Sequence, residues 1–292
     1  MKKIIFITFL IWAPSWAHAI DLYRTVGTRA AAMGGTSVSA RDVWALLNNP
    51  AGTAYHQGWR CGLYYENRWL LRETAFKSAV LTRSIVGVGC LGLSIDQFGG
   101  SKYSENMLGL GYARDFGPYL QLGLRIDGIW LHWSEAYPDQ RGFGFTLGMQ
   151  SQLTERLRLG ACLFNPVQLP WETLTGNRLP AAIRFGMAFQ LTDDFTGQWE
   201  LAYDNHRKGI RLGSGFEYVM AGRFSLRAGA QYHPNLLSFG AGYRIGDVYM
   251  EVSAQLHQTL GASMQVGIHY GLGTPNPRGS LAVTTGLPEG NP

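Results

Sequence analysis

What the chain lacks narrows its class first. Beyond the N-terminal run Ile4–Trp12, its 292 residues contain no eighteen consecutive apolar residues, which excludes a helical membrane protein. Charged residues make up only 15%, against about 25% in average soluble domains. Three cysteines, Cys61, Cys90 and Cys162, cannot all pair, and no CxxC spacing occurs. Neither a disulfide framework nor a structural metal site is therefore expected. Basic clustering is missing too: the formal charge of +5 is scattered and loses two units with Lys2 and Lys3, which excludes a nucleic-acid surface. His206, His233, His257 and His269 lack metal-ligand spacing, and Gly87-Val88-Gly89 lacks the strand-turn-helix context of a nucleotide loop. No cofactor is expected.

What is present is alternation. Leu120, Leu122, Leu124, Ile126 and Trp130 alternate with Gln121, Gly123, Arg125 and Asp127; Ile183, Phe185, Met187 and Phe189 alternate with Arg184, Gly186, Ala188 and Gln190. Soluble strands average about five or six residues, whereas a tilted strand crossing a bilayer needs about ten with one apolar face. The pattern predicts an all-β transmembrane antiparallel barrel of about fourteen strands. The expected strand cores are 59–65, 72–82, 85–95, 104–114, 119–132, 141–153, 157–164, 181–191, 195–204, 209–219, 223–232, 236–245, 247–257 and 261–271. Tight connections (Thr82-Arg83-Ser84, Thr154-Glu155-Arg156, Thr192-Asp193-Asp194, Ala221-Gly222) alternate with longer ones (Asp96–Tyr103, Trp133–Gln140, Asn165–Pro180). Short turns mark the periplasmic side of outer-membrane barrels, so both termini are expected in the periplasm. Trp130, Tyr203 and Tyr232 near one end, and Phe195, Tyr218, Phe224, Tyr243 and Tyr270 near the other, form the expected aromatic belts.

If the apolar set faces lipid, the alternate set lines the lumen. Six arginines (Arg125, Arg158, Arg184, Arg211, Arg227, Arg244) then face five carboxylates (Asp127, Glu200, Asp204, Glu217, Glu251), a near-balanced ionic network that suits a filled barrel. Glycine recurs at inward positions, among them Gly142, Gly144, Gly148, Gly160, Gly186, Gly213, Gly215, Gly229, Gly240 and Gly242, which frees interior space. Lys2 and Lys3, the apolar run after them and Ala17-His18-Ala19 read as a signal peptide over residues 1–19. Residues 20–58 lack the alternation, carry Gly34-Gly35 and a helix-like run from Arg41 to Leu47 capped by Ser39 or Asp42 and stopped by Pro50, and are the expected plug. The barrel follows over 59–271 and a periplasmic tail over 272–292. Strands two to four alternate less cleanly, and are expected to present apolar residues on both sides, toward a plug or a hydrophobic passage.

The N-terminal block carries a resemblance. Val26-Gly27-Thr28-Arg29-Ala30-Ala31-Ala32-Met33-Gly34-Gly35-Thr36, followed by Val43-Trp44-Ala45-Leu46 and Asn48-Asn49-Pro50-Ala51-Gly52, resembles the start of the PorV/PorQ outer-membrane barrels of Bacteroidetes-type bacteria, which are related to the fatty-acid transporter FadL. The resemblance implies a fourteen-strand barrel with an N-terminal plug. It assigns family positions to Gly27, Arg29, Ala30, Met33, Gly34, Gly35, Trp44, Asn49, Pro50, Ala51 and Gly52. A PorV-type role implies a partner-binding component linked to type IX protein secretion or surface export, with outer-membrane secretion or surface proteins as partners besides lipid. The alternative is FadL-like passive transport of hydrophobic small molecules. Leu169, Pro170, Trp171 and Leu174 supply an exposed apolar loop patch. His132-Trp133-Ser134 resembles the His-x-Ser pair of outer-membrane lipid A deacylases, but Glu135 is poorly placed to orient it, and a non-enzymatic protein is expected.

Overall fold

The computed structural model describes residues 24–117, 119–134, 138–167, 179–205 and 209–271. The expected signal peptide, the tail from 272, Glu135, His206 and the loop patch Leu169–Leu174 lie outside them. The described chain is a closed barrel of fourteen antiparallel strands: β1 (Trp59–Asn67), β2 (Ala75–Ile85), β3 (Gly89–Gly99), β4 (Tyr103–Asp115), β5 (Gln121–Trp133), β6 (Gln140–Gln152), β7 (Leu157–Phe164), β8 (Ala182–Thr192), β9 (Phe195–Asp204), β10 (Gly209–Met220), β11 (Phe224–Tyr232), β12 (Leu236–Ile245), β13 (Val248–His257) and β14 (Gly261–Gly271). Each strand pairs with its sequence neighbours. β1 closes on β14 from Arg60↔Gly271 to Asn67↔Met264, so no edge is left open.

Alternation decides which side faces lipid. Leu63, Leu110 and Phe143 point outward and are 61%, 62% and 67% exposed, while Asp127, Arg184 and Glu200 on the inner side are buried. A soluble barrel shows the opposite polarity. The outer surface is an apolar band of leucine, isoleucine, valine and phenylalanine, the surface a bilayer requires. The connections alternate as expected between a turn end and a loop end. One tight turn was misplaced: β2 runs on to Ile85 and the turn is Val86–Val88, not Thr82–Ser84. Gly87 and Gly89 take the positive φ values of the true turn (78° and 129°). β-Branched Thr82 suits a strand and faces inward.

The shift re-aims strands two to four. Their inner faces are not apolar throughout: Ser78, Thr82, Ser94, Asp96 and Glu105 are buried among Phe76, Val80, Phe98 and Met107. The ladders there are also unbroken, from Phe76↔Phe98 to Ile85↔Gly89 and from Cys90↔Ala113 to Gly99↔Ser104.

Residues 24–58 fill the lumen. They form α1 (Thr28–Ala32), α2 (Ala45–Asn48) and a 3-10 turn, Pro50–Tyr55. The expected helix over 41–47 is shorter and later, because Asp42 accepts from the Trp44 amide (3.0 Å) and holds the preceding residues in a turn. α1 packs against β11–β14, and the 3-10 turn against β3–β6. The approach is so close that inward side chains are excluded. A Cβ would stand 2.3 Å from the Ala51 nitrogen at Gly123, 2.1 Å from Asn49 Oδ1 at Gly148, 2.3 Å from the Val38 carbonyl oxygen at Gly160 and 2.2 Å from the Gly34 nitrogen at Gly229. Glycines also face each other across strands, as Gly92↔Gly111, Gly123↔Gly148, Gly160↔Gly186 and Gly215↔Gly229.

A valine at Gly160 or Gly229 therefore displaces the plug. The expected result is a barrel destabilised by about 1–3 kcal/mol, read as a lower temperature for loss of its compact electrophoretic form, with trypsin gaining access to the plug at Arg29 and Arg41. Outward Ala228→Val serves as the neutral control. Glycine variants as stable and as protected as that control would contradict the packing.

The plug and the loop-end chamber as candidate functional site

The family-like motif lies wholly in the plug, and each part has a wall contact or an internal one. Gly27 (φ 110°) passes so close to Trp44 that a Cβ would meet its ring at 2.7 Å. Trp44 packs on Tyr64 of β1, ring centroids 5.6 Å apart. Arg29 donates to both Glu217 oxygens (Nε at 3.1 and 3.0 Å, Nη2 at 2.7 Å), bidentate recognition of a carboxylate. Burial alone lowers the Arg29 pKa, but Glu217, Asp42 and Glu251 outweigh it and hold the guanidinium above its ordinary value. Buried Ala30 belongs to α1, and Met33 lies over Gly215 and Gly229. The Gly34 amide donates to Ser238 Oγ (2.9 Å), which donates to the Ala32 carbonyl (2.9 Å). Gly34 and Gly35 both have positive φ, which turns the chain back from α1.

Asn49, Pro50, Ala51 and Gly52 form the other half of the anchor. Asn49 Nδ2 donates to the Val38 carbonyl (2.6 Å) and to the wall carbonyls of Met149 (3.1 Å) and Ala161 (3.2 Å). Its Oδ1 accepts from Ala51 (3.2 Å), and Pro50 supplies a first helical position that needs no N–H. Gly52 lies under the Ala40 carbonyl and Ala45. Glu200 of β9 accepts from the Ser37 and Val38 amides (2.8 and 2.9 Å) and from Arg184 (2.7 Å), with Arg211 at 3.2 Å. A carboxylate buried this deeply needs such full pairing.

The predicted lumen residues separate into clusters instead of one ladder. Arg125 pairs with Asp127 (2.7 Å) and Asp96 (3.1 Å). Arg184, Glu200 and Arg211 form the second cluster. Arg227 bridges Glu217 and Glu251 (both 2.7 Å), and Arg29 completes the third. Arg158 is buried on β7 near Arg41 and Tyr55. Arg244 lies near the turn end, donating to the Gly246 carbonyl (2.8 Å) and stacking on Tyr249. Asp204 ends β9. Sequence reasoning missed Asp96, which it placed in a loop where β3 in fact runs on to Gly99, and Glu105, which lay within the expected fourth strand but was not counted among the inward residues.

Toward the loop end the lumen changes character. Ile129, Leu131 and Leu179 pack together with Met107 and Trp133, while Val26, Leu47, Phe76, Phe98 and Phe164 surround a cavity of about 30 Å³ that Arg24, Asp96, Glu105 and Arg125 also line. A larger concavity of about 1200 Å³ lies outside the barrel against outward Leu159, Phe185, Met187, Leu201 and Leu212, where lipid chains belong, and is not part of the lumen. His132 lies 2.7 Å from Asp139, and among the described contacts it makes no hydrogen bond to Ser134, which lies beyond the end of β5. Cys61 and Cys90 are free thiols.

These features define a plugged transmembrane β-barrel, with the fold of the FadL-type outer-membrane proteins. No family model matches the sequence, and no curated protein matches it. Among solved structures, the toluene transporter TodX of Pseudomonas putida superposes with a TM-score of 0.65 at 13% identity, over 84% of this chain and 96% of that one. A Pseudomonas aeruginosa FadL homologue superposes with a TM-score of 0.61 at 12% identity, over 85% and 99%. At such identities the likeness establishes the fold.

His56, which ends the plug, offers a pH test. Its Nε2 faces the Arg41 and Asp42 carbonyls (3.2 and 3.1 Å) and so carries the proton, and Nδ1 accepts from Thr82 Oγ1 (3.0 Å). Burial, then the charge of Arg60, pushes its pKa down to about 3. The unfolded chain binds a proton below about 6.5 that the seated plug refuses, so this contribution is complete above pH 6.5 and lost as pH falls toward 3. Thermal midpoints measured from pH 7 to 4 should fall more steeply for the native protein than for His56→Gln. Parallel curves would show that the site does not hold His56 neutral.

Proposed function

We propose that this protein sits in the outer membrane of a Gram-negative cell, short turns and both chain termini toward the periplasm, and admits small hydrophobic molecules passively past a movable plug. The observation that carries this is the loop-end chamber. Phe76, Phe98, Met107, Ile129, Leu131 and Phe164 project inward from β2 to β7, on the side of the barrel where a ligand from outside arrives, while the charged clusters of β8–β14 lie against the plug. A purely structural lumen has no need for this division. A concave apolar site with a few polar groups is the usual form of a small-molecule site.

Among the described residues the lumen is closed in this conformation: the strands form a closed barrel, with one register shift between β8 and β9 at Gln190 and Thr192, and the cavity of about 30 Å³ holds little more than a water molecule. Passage therefore requires the plug to shift; apart from the peptide chain that leads into β1, it is held to the wall by hydrogen bonds, ion pairs and packing, all of them reversible. A secretion-partner role of PorV/PorQ type rests on the N-terminal motif alone, and that motif's contacts are internal to the barrel. The fold shared with a protein described as a toluene transporter favours passage instead.

Uptake of toluene into proteoliposomes or into cells expressing the protein is the direct test. Native protein should raise the rate well above empty vesicles, and Ile129→Asp or Phe164→Asp should cut the increment at least tenfold while the barrel still inserts. A rate equal to that of empty vesicles would remove the proposal, and undiminished uptake by both variants would remove the chamber from it.

A further inference from the structure

One plug residue reaches into the chamber itself. Arg24, the first described residue, places its guanidinium between two phenyl rings, with Cζ 4.2 Å from the Phe98 centroid and 4.9 Å from that of Phe76. It donates through Nη2 to Glu105, whose other oxygen accepts from the Tyr103 hydroxyl at 2.7 Å. Glu105 is 2% exposed, Asp96 4%, and both line the same cavity as Arg24 and the two rings. Two neighbouring acids pair with arginines outside the plug: Arg68 with Glu66 (3.0 Å) and Arg125 with Asp96 (3.1 Å). Among these contacts, the cation on Glu105 comes from the plug.

Ring faces around a buried carboxylate are the arrangement that recognises an organic cation, because the negative face of each ring adds to the charge pair in a site that excludes water. We propose that this cage is a receptor for a small organic monocation with an apolar body, such as an arylalkylammonium, and that Arg24 is its resident intramolecular occupant. The proposal rests on passage through the chamber and adds the ligand class and the trigger. A plug shift that withdraws Arg24 leaves Glu105 buried without its cation, which strongly disfavours the open form. An incoming organic cation restores the pair. Cation binding and plug release are thereby coupled, and each promotes the other by the same factor. A neutral hydrocarbon gains the apolar contacts but not this exchange.

The test uses the full barrel in detergent with benzylammonium, its neutral isostere benzyl alcohol, and benzoate. Arg24→Ala should bind benzylammonium saturably and at least tenfold more tightly than the native protein, where Arg24 competes, with a matching rise in thermal midpoint. Benzyl alcohol and benzoate should show no comparable saturation, and adding Glu105→Gln to Arg24→Ala should abolish the response. Should Arg24→Ala not assemble, native protein still decides: benzylammonium, and not benzyl alcohol, should hasten tryptic cleavage at Arg29 in the plug. Equal binding of the three compounds, benzylammonium binding that survives Glu105→Gln, or native cleavage unmoved by saturating benzylammonium would each overturn the assignment. Binding in detergent involves no passage, so it succeeds or fails independently of toluene uptake.

Discussion

The structure depends on how near the plug backbone can come to the barrel wall. Fourteen strands enclose a lumen that cannot hold both a folded segment and a full set of inward side chains. Glycine at one level of strand after strand resolves the conflict. At Gly123, Gly148, Gly160 and Gly229 the space of a side chain is taken by plug backbone. The cross-strand pairing of Gly92 with Gly111, Gly160 with Gly186, and Gly215 with Gly229 makes this a girdle and not a scatter of small residues. Glycine weakens a strand, and the full closure of the barrel offsets that weakness.

Close approach alone does not hold a polar backbone in a lumen with little water. Each exposed plug amide or carbonyl needs a partner, and the wall provides them at spots beside the girdle. Glu200 takes the Ser37 and Val38 amides, Ser238 takes the Gly34 amide, and Gln150 donates to the Val38 and Ala40 carbonyls (3.1 and 2.8 Å). The arginines serve those acceptors as counter-charges. Breaking one such buried pair typically costs about 3–5 kcal/mol, which explains a seated plug as the resting state.

Much of the barrel was legible in the chain because period-two alternation is a local property. β7, β9, β12 and β14 begin and end where the pattern placed them. β2 and β3 did not, since Ile85-Val86-Gly87-Val88 reads as continuous apolar strand, and only the positive φ of Gly87 and Gly89 reveals the turn. That slip of three or four residues left Asp96 in an expected loop. The site itself was legible as residue types but not as partners. Arg29 and Glu217 are 188 residues apart, and no local pattern marks one as the counter-charge of the other. The inward glycines were visible, but what fills their space depends on where residues 24–58 run.

Two halves of one lumen thus have different tasks: β8–β14 grip the plug through ionic clusters, and the loop-end faces of β2–β7 leave an apolar chamber above it. Both depend on the plug being a folded part of the barrel. Amide hydrogen exchange of the purified barrel measures this most directly at Gly34, Ser37 and Val38, whose amides bond to Ser238 and Glu200. Protection of these three amides comparable to that of the strand amides is the predicted result. Exchange at the rate of an unstructured chain, in a barrel whose strands remain protected, would contradict the account.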